Sequence, residues 1–320
     1  MTQKGLAREL GVSRSLVSMA LADSPSVADQ TKERVKAAAA RLGYVRDLGA
    51  AALAGGGSAI AAVLLPDLRN PFFEGLVDSI ERYAAARGLL AVVATAANDP
   101  PRERQTVAGL QRLRPAGLIA VSPAATVATL REYARDLPTA VIGVQAVGGQ
   151  VDVAHVDEAA AAALIAGRAL AWGATRLAQL APSAAGRDNA VAFRRAAARR
   201  AAGDAGLEYL ELESVPEAVA LARGGPGRNL AIAAHNDFTA VNLVAALRAS
   251  GIAPGRAVGV IGFDDTYLAR LPEFSLTSVD QGAEALGAAA VEFVTSRLEA
   301  PGAPGRELVA PPSLSVRDSG

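Results

Sequence analysis

Cysteine is absent from this chain of 320 residues, which excludes a disulfide framework, a thiolate nucleophile and any cysteine-ligated metal. Histidine occurs only at His155 and His235, too sparsely for a zinc site. No uncharged apolar run reaches the roughly 18 residues of a membrane span. The opening MTQKGLAREL is polar and charged rather than a basic stretch followed by an apolar one. No GxSxG turn occurs, and the glycines at 55–57 run into Ser58-Ala59 with no lysine to complete a phosphate loop. These absences give the expectation of a soluble cytoplasmic protein that is not an enzyme and takes no cofactor or metal. His155 reads as a strand-end residue, and Asp264-Asp265 as a pair that shapes a hinge or a helix start rather than an acid/base couple.

Formal net charge is zero, yet it is unevenly spread. Before Ser58 the basic residues are Lys4, Arg8, Arg14, Lys32, Arg34, Lys36, Arg41 and Arg46, against Glu9, Asp23, Asp29, Glu33 and Asp47. The first segment is net basic and the rest net acidic, an asymmetry found in nucleic-acid binders.

Three short helical patterns precede Tyr44. The first, from about Thr2 to Leu10, puts Leu6, Ala7 and Leu10 on one face and ends at Gly11. Ser13 caps the second, from Arg14 to about Ala22, and Asp29 caps the third, whose stripe Val35, Ala38, Ala39, Leu42 ends at Gly43. Helix, glycine turn and helix is the helix-turn-helix arrangement, whose second helix presents its first turn to base edges. Arg14 and Ser15 then stand where bases are read, Ser13 and Ser18 reach phosphates, and Leu16, Val17, Ala20 and Leu21 pack inward. An ordinary helical hairpin with a solvated face fits the same pattern. The next segment, DLGAAALAGGGS, joins helix-forming alanines to opposing glycines and reads as a hinge that is marginal on its own.

From Ala59 apolar runs alternate with helical patterns. Strands are expected at Ile60–Leu65, Leu89–Ala94, Gly117–Val121, Thr139–Val144, Leu177–Leu180, Ala231–Ala234 and Val258–Gly262. Helices fill the gaps, among them Phe72–Arg87, Ala159–Ala171, Ala190–Ala205, Thr239–Ser250 and Ala283–Leu298. The pattern predicts an α/β fold with two doubly wound parallel-sheet subdomains and ligand sites at the strands' carboxyl ends.

In order along the chain, GVSRSLVS, RVKAAAARLGY, AAALAG, LLPDLRNPFF, AGLIAV, VDE, HNDFTAVNLVAAL, VGVIGFDDT, LTSVDQ and LSVRDS resemble the motifs of the lactose/galactose repressor family of bacterial transcription regulators. The resemblance implies a helix-turn-helix domain over 1–45, a hinge helix and linker over 46–58, and an effector-binding and dimerisation core over 59–320. Within that core the N-subdomain takes about 59–153 plus 283–309, and the C-subdomain about 154–282 plus 310–320. It also implies a homodimer on a palindromic operator in double-stranded DNA, by default an inducible repressor of a catabolic operon. Thr2, Lys4, Ser13, Arg14, Ser15, Ser18, Met19, Ser26 and Thr31 become the DNA-contacting set, with Leu53 of the hinge wedging into the minor groove. Relatives commonly carry an arginine where Met19 stands, an asparagine at Ala22 and Pro-Asn at Arg46-Asp47, so a departing operator is expected.

The same resemblance places a small-molecule effector, sugar-like by family, between the subdomains, with Asn70, Phe72, Phe73, Asn189, Asp237 and Gln281 as its contacts. Phe72 and Phe73 also fit an ordinary core, and Asp237 a helix N-cap. Two usual polar anchors are missing, an arginine that falls on Asn189 and an aspartate that falls on Gly143; Arg187 lies nearby as a substitute. Two further readings stay open. One is a periplasmic-type receptor without DNA function. The other is a corepressor-dependent regulator that takes a nucleoside or base.

Overall fold

A computed structural model describes residues 1–21, 23–44, 58–145, 147–181, 189–224 and 229–320. The chain divides into two units, Met1–Ser58 and Ala59–Gly320.

The first unit holds α1 (Gln3–Leu10), α2 (Arg14–Leu21) and α3 (Asp29–Arg41). The Thr2 hydroxyl accepts from the Gly5 amide at 3.1 Å, satisfying one of the donors left open at the start of α1. At the other end Gly11 adopts φ +64°, a left-handed turn that ends a helix at little cost only when no side chain is present. Ser13 caps α2 by accepting from the Leu16 amide at 3.1 Å. Asp29, expected as the cap of α3, is instead its first helical residue. Ala28 takes the cap position with no side-chain bond, and Asp29 pairs with Lys32 at 3.0 Å. An acidic residue in the first turn still faces the positive end of the helix dipole. Leu6, Ala7, Val17, Ala20, Val27, Val35, Ala38 and Ala39 bury one another, with Leu16 and Leu21 half-buried against them.

The second unit contains two six-stranded sheets. The first has the order β11-β5-β4-β3-β1-β2, built from β1 (Ile60–Leu65), β2 (Leu90–Thr95), β3 (Gly117–Val121), β4 (Thr139–Ile142), β5 (Asp152–Val156) and β11 (Glu307–Ala310), all parallel. One face carries α4 (Phe72–Ala85) and α12 (Ala283–Glu299), whose Leu76, Ile80, Leu286 and Ala290 pack on Val63 and Ile119. These helices approach closely because residue 287 is glycine: a Cβ there would stand 2.6 Å from Ser79 Oγ. The other face is covered by α5 (Pro100–Gln111) and α6 (Val127–Asp136) through Val107, Leu110 and Leu130.

The second sheet runs β12-β10-β9-β8-β6-β7, from β6 (Arg176–Leu180), β7 (Glu208–Leu212), β8 (Leu230–Ala234), β9 (Gly259–Phe263), β10 (Thr277–Asp280) and β12 (Ser313–Ser315). Only β12 is antiparallel. It lies between α7 (Glu158–Trp172) with α8 (Asn189–Asp204) on one face and α9 (Val215–Arg223) with α10 (Asp237–Ala249) on the other. A short helix, α11 (Tyr267–Arg270), follows β9. The chain passes between sheets after β5, after β10 and after β11, so three segments join them.

Several strands escape a hydrophobicity pattern because their polar residues are buried with distant partners. In β5, Asp152 is 1% exposed. It accepts from Arg297 Nε and Nη2 at 2.9 and 2.7 Å, and from Arg306 N and Nε at 2.8 and 3.1 Å. Burial raises its pKa, but the two guanidinium groups outweigh burial and hold the carboxyl below its usual range. Through this carboxylate, β5, the end of α12 and the start of β11 are tied together.

Asp152→Asn leaves Arg297 buried without its counter-charge, and should cost about 3 to 5 kcal/mol of unfolding free energy in a urea titration. Because the folded pKa is depressed, the stabilisation is present above the unfolded value near 3.9 and is lost as pH falls through the folded one. The variant should therefore show a flatter loss of stability below about pH 4 than the parent.

Candidate functional site

In the first unit, Thr2, Lys4, Ser13, Arg14, Ser15, Met19 and Ser26 are exposed, while Ser18 and Thr31 are half-buried. Leu53, Ala22 and Arg46-Asp47 lie outside the described residues. Ser13 Oγ stands 2.9 Å from Ser15 Oγ while capping α2, so the cap also orients the Ser15 side chain. Lys32, Lys36 and Arg41 pair with Asp29, Asp23 and Glu9. Arg14 has no acidic partner among the described residues, and it opens a helix whose N-terminal amides also favour an anion. Met19 is 38% exposed with its sulfur 3.8 Å from Ser26 Oγ, so these two expected contacts form one apolar-polar patch on the flank of α2.

In the second unit a chamber of about 50 Å³ lies between the carboxyl ends of the two sheets. Asn70, Phe72, Phe73 and Ser122 line it from the first sheet's side, Arg194, His235, Asn236 and Asp264 from the second's, and Gln281 from a crossover. Asn70 Oδ1 accepts from the Phe72 amide at 3.1 Å, which helps start α4 and turns the amide nitrogen away. That nitrogen donates to Asp264 Oδ2 at 2.9 Å, across the chamber. Gln281 Nε2 donates to the other oxygen at 2.5 Å. Asp264 is 7% exposed and sits at φ +106°, strained for a residue with a side chain. Burial first, and then the nearby charge of Asp237, push its pKa up to about 8 against the pull of Arg194 and the two amides.

Phe72 and Phe73 serve both expectations. They belong to the apolar core of the first sheet, edge to face with centroids 5.8 Å apart, and they also wall the chamber. Asp237 does not line it. Its carboxylate is fully buried and accepts from Thr266 N, Thr266 Oγ1 and Ser278 Oγ at 2.7, 2.9 and 2.6 Å. It thereby ties α10 to the segment after β9 and to β10. Neither is Asp237 the helix cap: Asn236 caps α10, its Oδ1 accepting from Thr239 N at 2.8 Å, and Asn236 is the residue that faces the chamber. Asn189 opens α8, and its side chain, like Arg187, lies outside the described residues.

Sequence reasoning missed Arg194 and gave Asp264 only a hinge role. Arg194 lies 3.4 Å above the centroid of Phe263, donates to Glu158 through Nε and Nη2 at 3.2 and 3.0 Å, and reaches the His235 carbonyl at 2.6 Å. A guanidinium thus enters the chamber from α8, with its charge met by Glu158. Its spacing was the available signal, since Arg194, Ala198 and Ala202 share the buried stripe of α8. His235 is pushed down to about 3, by burial and then by the Arg194 and Arg195 charges, so its ring is neutral near pH 7. Side-chain amides of Asn70, Gln145, Asn236 and Gln281, the Asp264 carboxyl, the neutral His235 ring and the rings of Phe72, Phe73 and Phe193 suit hydroxyl recognition with stacking. Among the described residues no group of three His, Cys, Asp or Glu could hold a metal.

A model of bacterial regulatory proteins of the lacI family matches residues 2–47, and one of a periplasmic binding protein-like domain matches 161–320. The transcriptional regulator GalS of Salmonella typhimurium is 30% identical over 87% of this chain and 84% of its own length. This chain belongs to the lacI family. It is a DNA-binding transcriptional regulator with its DNA-binding module in the first unit. The same fold recurs in the lac repressor dimer bound to operator and the anti-inducer ONPF, at 22% identity and TM-score 0.83 over 100% of this chain and 98% of that one. It recurs also in the CelR–cellobiose complex, at 23% identity and TM-score 0.70 over 100% of both chains. The curated relatives are regulators rather than enzymes. Among the described residues no helix is long and apolar enough to cross a membrane.

Asp264 binds a proton more tightly folded than unfolded, so its contribution favours folding at low pH and declines as pH rises from about 4 to about 8. Asp264→Asn keeps an acceptor for Asn70 and removes the titration. Thermal melts from pH 4 to 9 should show a flatter profile for the variant, with its melting point gaining on the parent by a few degrees at pH 8. Parallel profiles would place the proton elsewhere.

Proposed function

We propose that the regulator is a homodimeric repressor that grips a palindromic operator and releases it when a sugar-class effector enters the chamber. The hydrogen bond from Asn70 to Asp264 carries this reading. An amide from one sheet's side and a carboxylate from the other's meet where a ligand hydroxyl would join or part them. A ligand moves an equilibrium only through unequal affinity for its states, and a site built from both sides makes affinity depend on how the sides are set. The cellobiose held by the similar CelR structure supports a sugar-class effector.

Arg14 is the proposed reader of one guanine per half-site, with Ser15 beside it. Thr2, Lys4, Ser13, Ser18, Ser26 and Thr31 take backbone positions, and Met19 reads a neighbouring pair by apolar contact. Leu53 is the proposed minor-groove wedge.

An exposed apolar edge is the proposed face for the second copy. The outer strand β2 of the first sheet leaves Leu90 and Val93 56% and 37% exposed, and Leu68 and Tyr267 beside it are 73% and 57% exposed. Uncovered apolar edge strands invite pairing, and a two-fold mate would cover this one. The match to a dimeric repressor supports the arrangement.

In-vitro selection of bound DNA should return a palindrome for the parent protein. For Arg14→Ala the same selection should show preference lost at one base pair per half-site, worth about 1 to 3 kcal/mol. Uniform weakening on all sequences would instead make Arg14 a phosphate contact. Leu90→Glu should shift sedimentation from dimer to monomer and lower operator affinity more than tenfold, since each monomer would then bind a single half-site. An unchanged dimer would place the interface elsewhere.

A further inference from the structure

The chamber, at about 50 Å³, holds only a few waters as it stands, less than a sugar ring needs. Beside it lies a much larger groove of about 670 Å³. Gln145, His155, Glu158 and Phe193 line both, so these side chains form the partition between them. We propose that the effector extends through this partition into the groove and is an uncharged sugar of at least two units, an inference that rests on the sugar-class reading of the chamber.

The groove runs between α7 and α8 and reaches Val309 of β11. Its walls are small or apolar: Ala163, Gly167 and Leu170 on α7, Ala196 and Ala197 on α8. Leu170 and Val309 are 45% and 47% exposed. Such walls suit the C–H face of a second ring, and the half-buried Phe193 stands at the junction where a ring can stack. Among its charged lining residues Asp157, Glu158 and Asp204 outnumber Arg200. Arg194, the chamber's own cation, is already met by Glu158. A phosphorylated unit would therefore meet more acid than base among the described residues, while a neutral one loses nothing.

The partition is held in place on its far side. His155 is 7% exposed, and its ring nitrogens lie 2.8 Å from the Val156 carbonyl and 2.9 Å from Glu307 Oε1. Phe193 and Gln145, both half-buried, complete the partition and are the groups proposed to yield. The groove also opens at the β11 edge of the first sheet, while the apolar face proposed for dimerisation lies at the β2 edge. The two edges are opposite, so a mate seated on β2 leaves the groove free.

Gly167 provides a test that does not threaten the fold. A Cβ at this position meets nothing within 4 Å, and an interior helical glycine is replaced with a gain in helix propensity. Titration calorimetry on the full-length protein would compare D-glucose with cellobiose, D-galactose with lactose and D-xylose with xylobiose. At least one disaccharide should bind about tenfold or more tightly than its monosaccharide. Gly167→Phe should erase that advantage, leaving monosaccharide binding and the melting temperature unchanged. Ala163→Phe, one turn earlier on the same wall, should do the same.

Equal affinity for mono- and disaccharides in the parent protein would overturn the inference. So would disaccharide binding that survives both substitutions, or an equal loss of both ligands in the folded variants, which would locate the damage in the chamber. Silence of the whole panel, with operator binding indifferent to every sugar, would overturn the sugar-class reading itself and the inference with it.

Discussion

A carboxyl group taken out of water is costly unless each oxygen finds a partner, and at Asp264 one donor reaches across the chamber and the other comes from a crossover. Asn70 belongs to the first sheet's side and Gln281 to a crossover between the sheets. Satisfying one buried acid therefore sets the relation between two halves that otherwise fold on separate cores. The neighbouring groups conform to the same demand. Asp237 is kept apart by its own three donors, and Arg194 is neutralised by Glu158 rather than by Asp264. The acid is left to amides, which hold it without fixing its charge.

Three connections between the sheets give this contact its leverage. With a single linker the halves could part freely, whereas three chain segments confine them to a limited hinge motion. The Asp152 cluster secures the first and third of these segments on the first sheet's side, because β5 and β11 lead directly into them. A firm base at one edge and a few polar contacts in the chamber are the ingredients of a two-state element.

How much of this could be read from the residues follows the range of the interactions. The first three helices were legible because their signals are local: Thr2, Ser13 and Gly11 act within four residues of themselves. Continuous apolar strands were legible for the same reason. The strand at 152–156 was not, since Asp152 is made tolerable by arginines about 150 positions away. Thr277 and Ser278 of β10 are fully buried on the strength of partners near 237 and 319. In the chamber, Asn70, Phe72, Phe73 and Gln281 are where their motifs put them, while the HND motif contributes Asn236 instead of its aspartate. Cap and first helical residue differ by one position, and only the backbone's path decides which points into the chamber.

The Arg194–Glu158 pair, the neutral His235 ring and an Asp264 that favours its protonated form near pH 7 leave the chamber with almost no net charge of its own. The first unit is the reverse, with Lys4, Arg8, Arg14 and Arg34 lacking acidic partners among the described residues. Ionic strength therefore acts mainly on the first unit: salt competes for phosphates but has little to screen in the chamber. A change in ionic strength would alter how firmly the regulator holds DNA while leaving the hydrogen bonds of the chamber as they are.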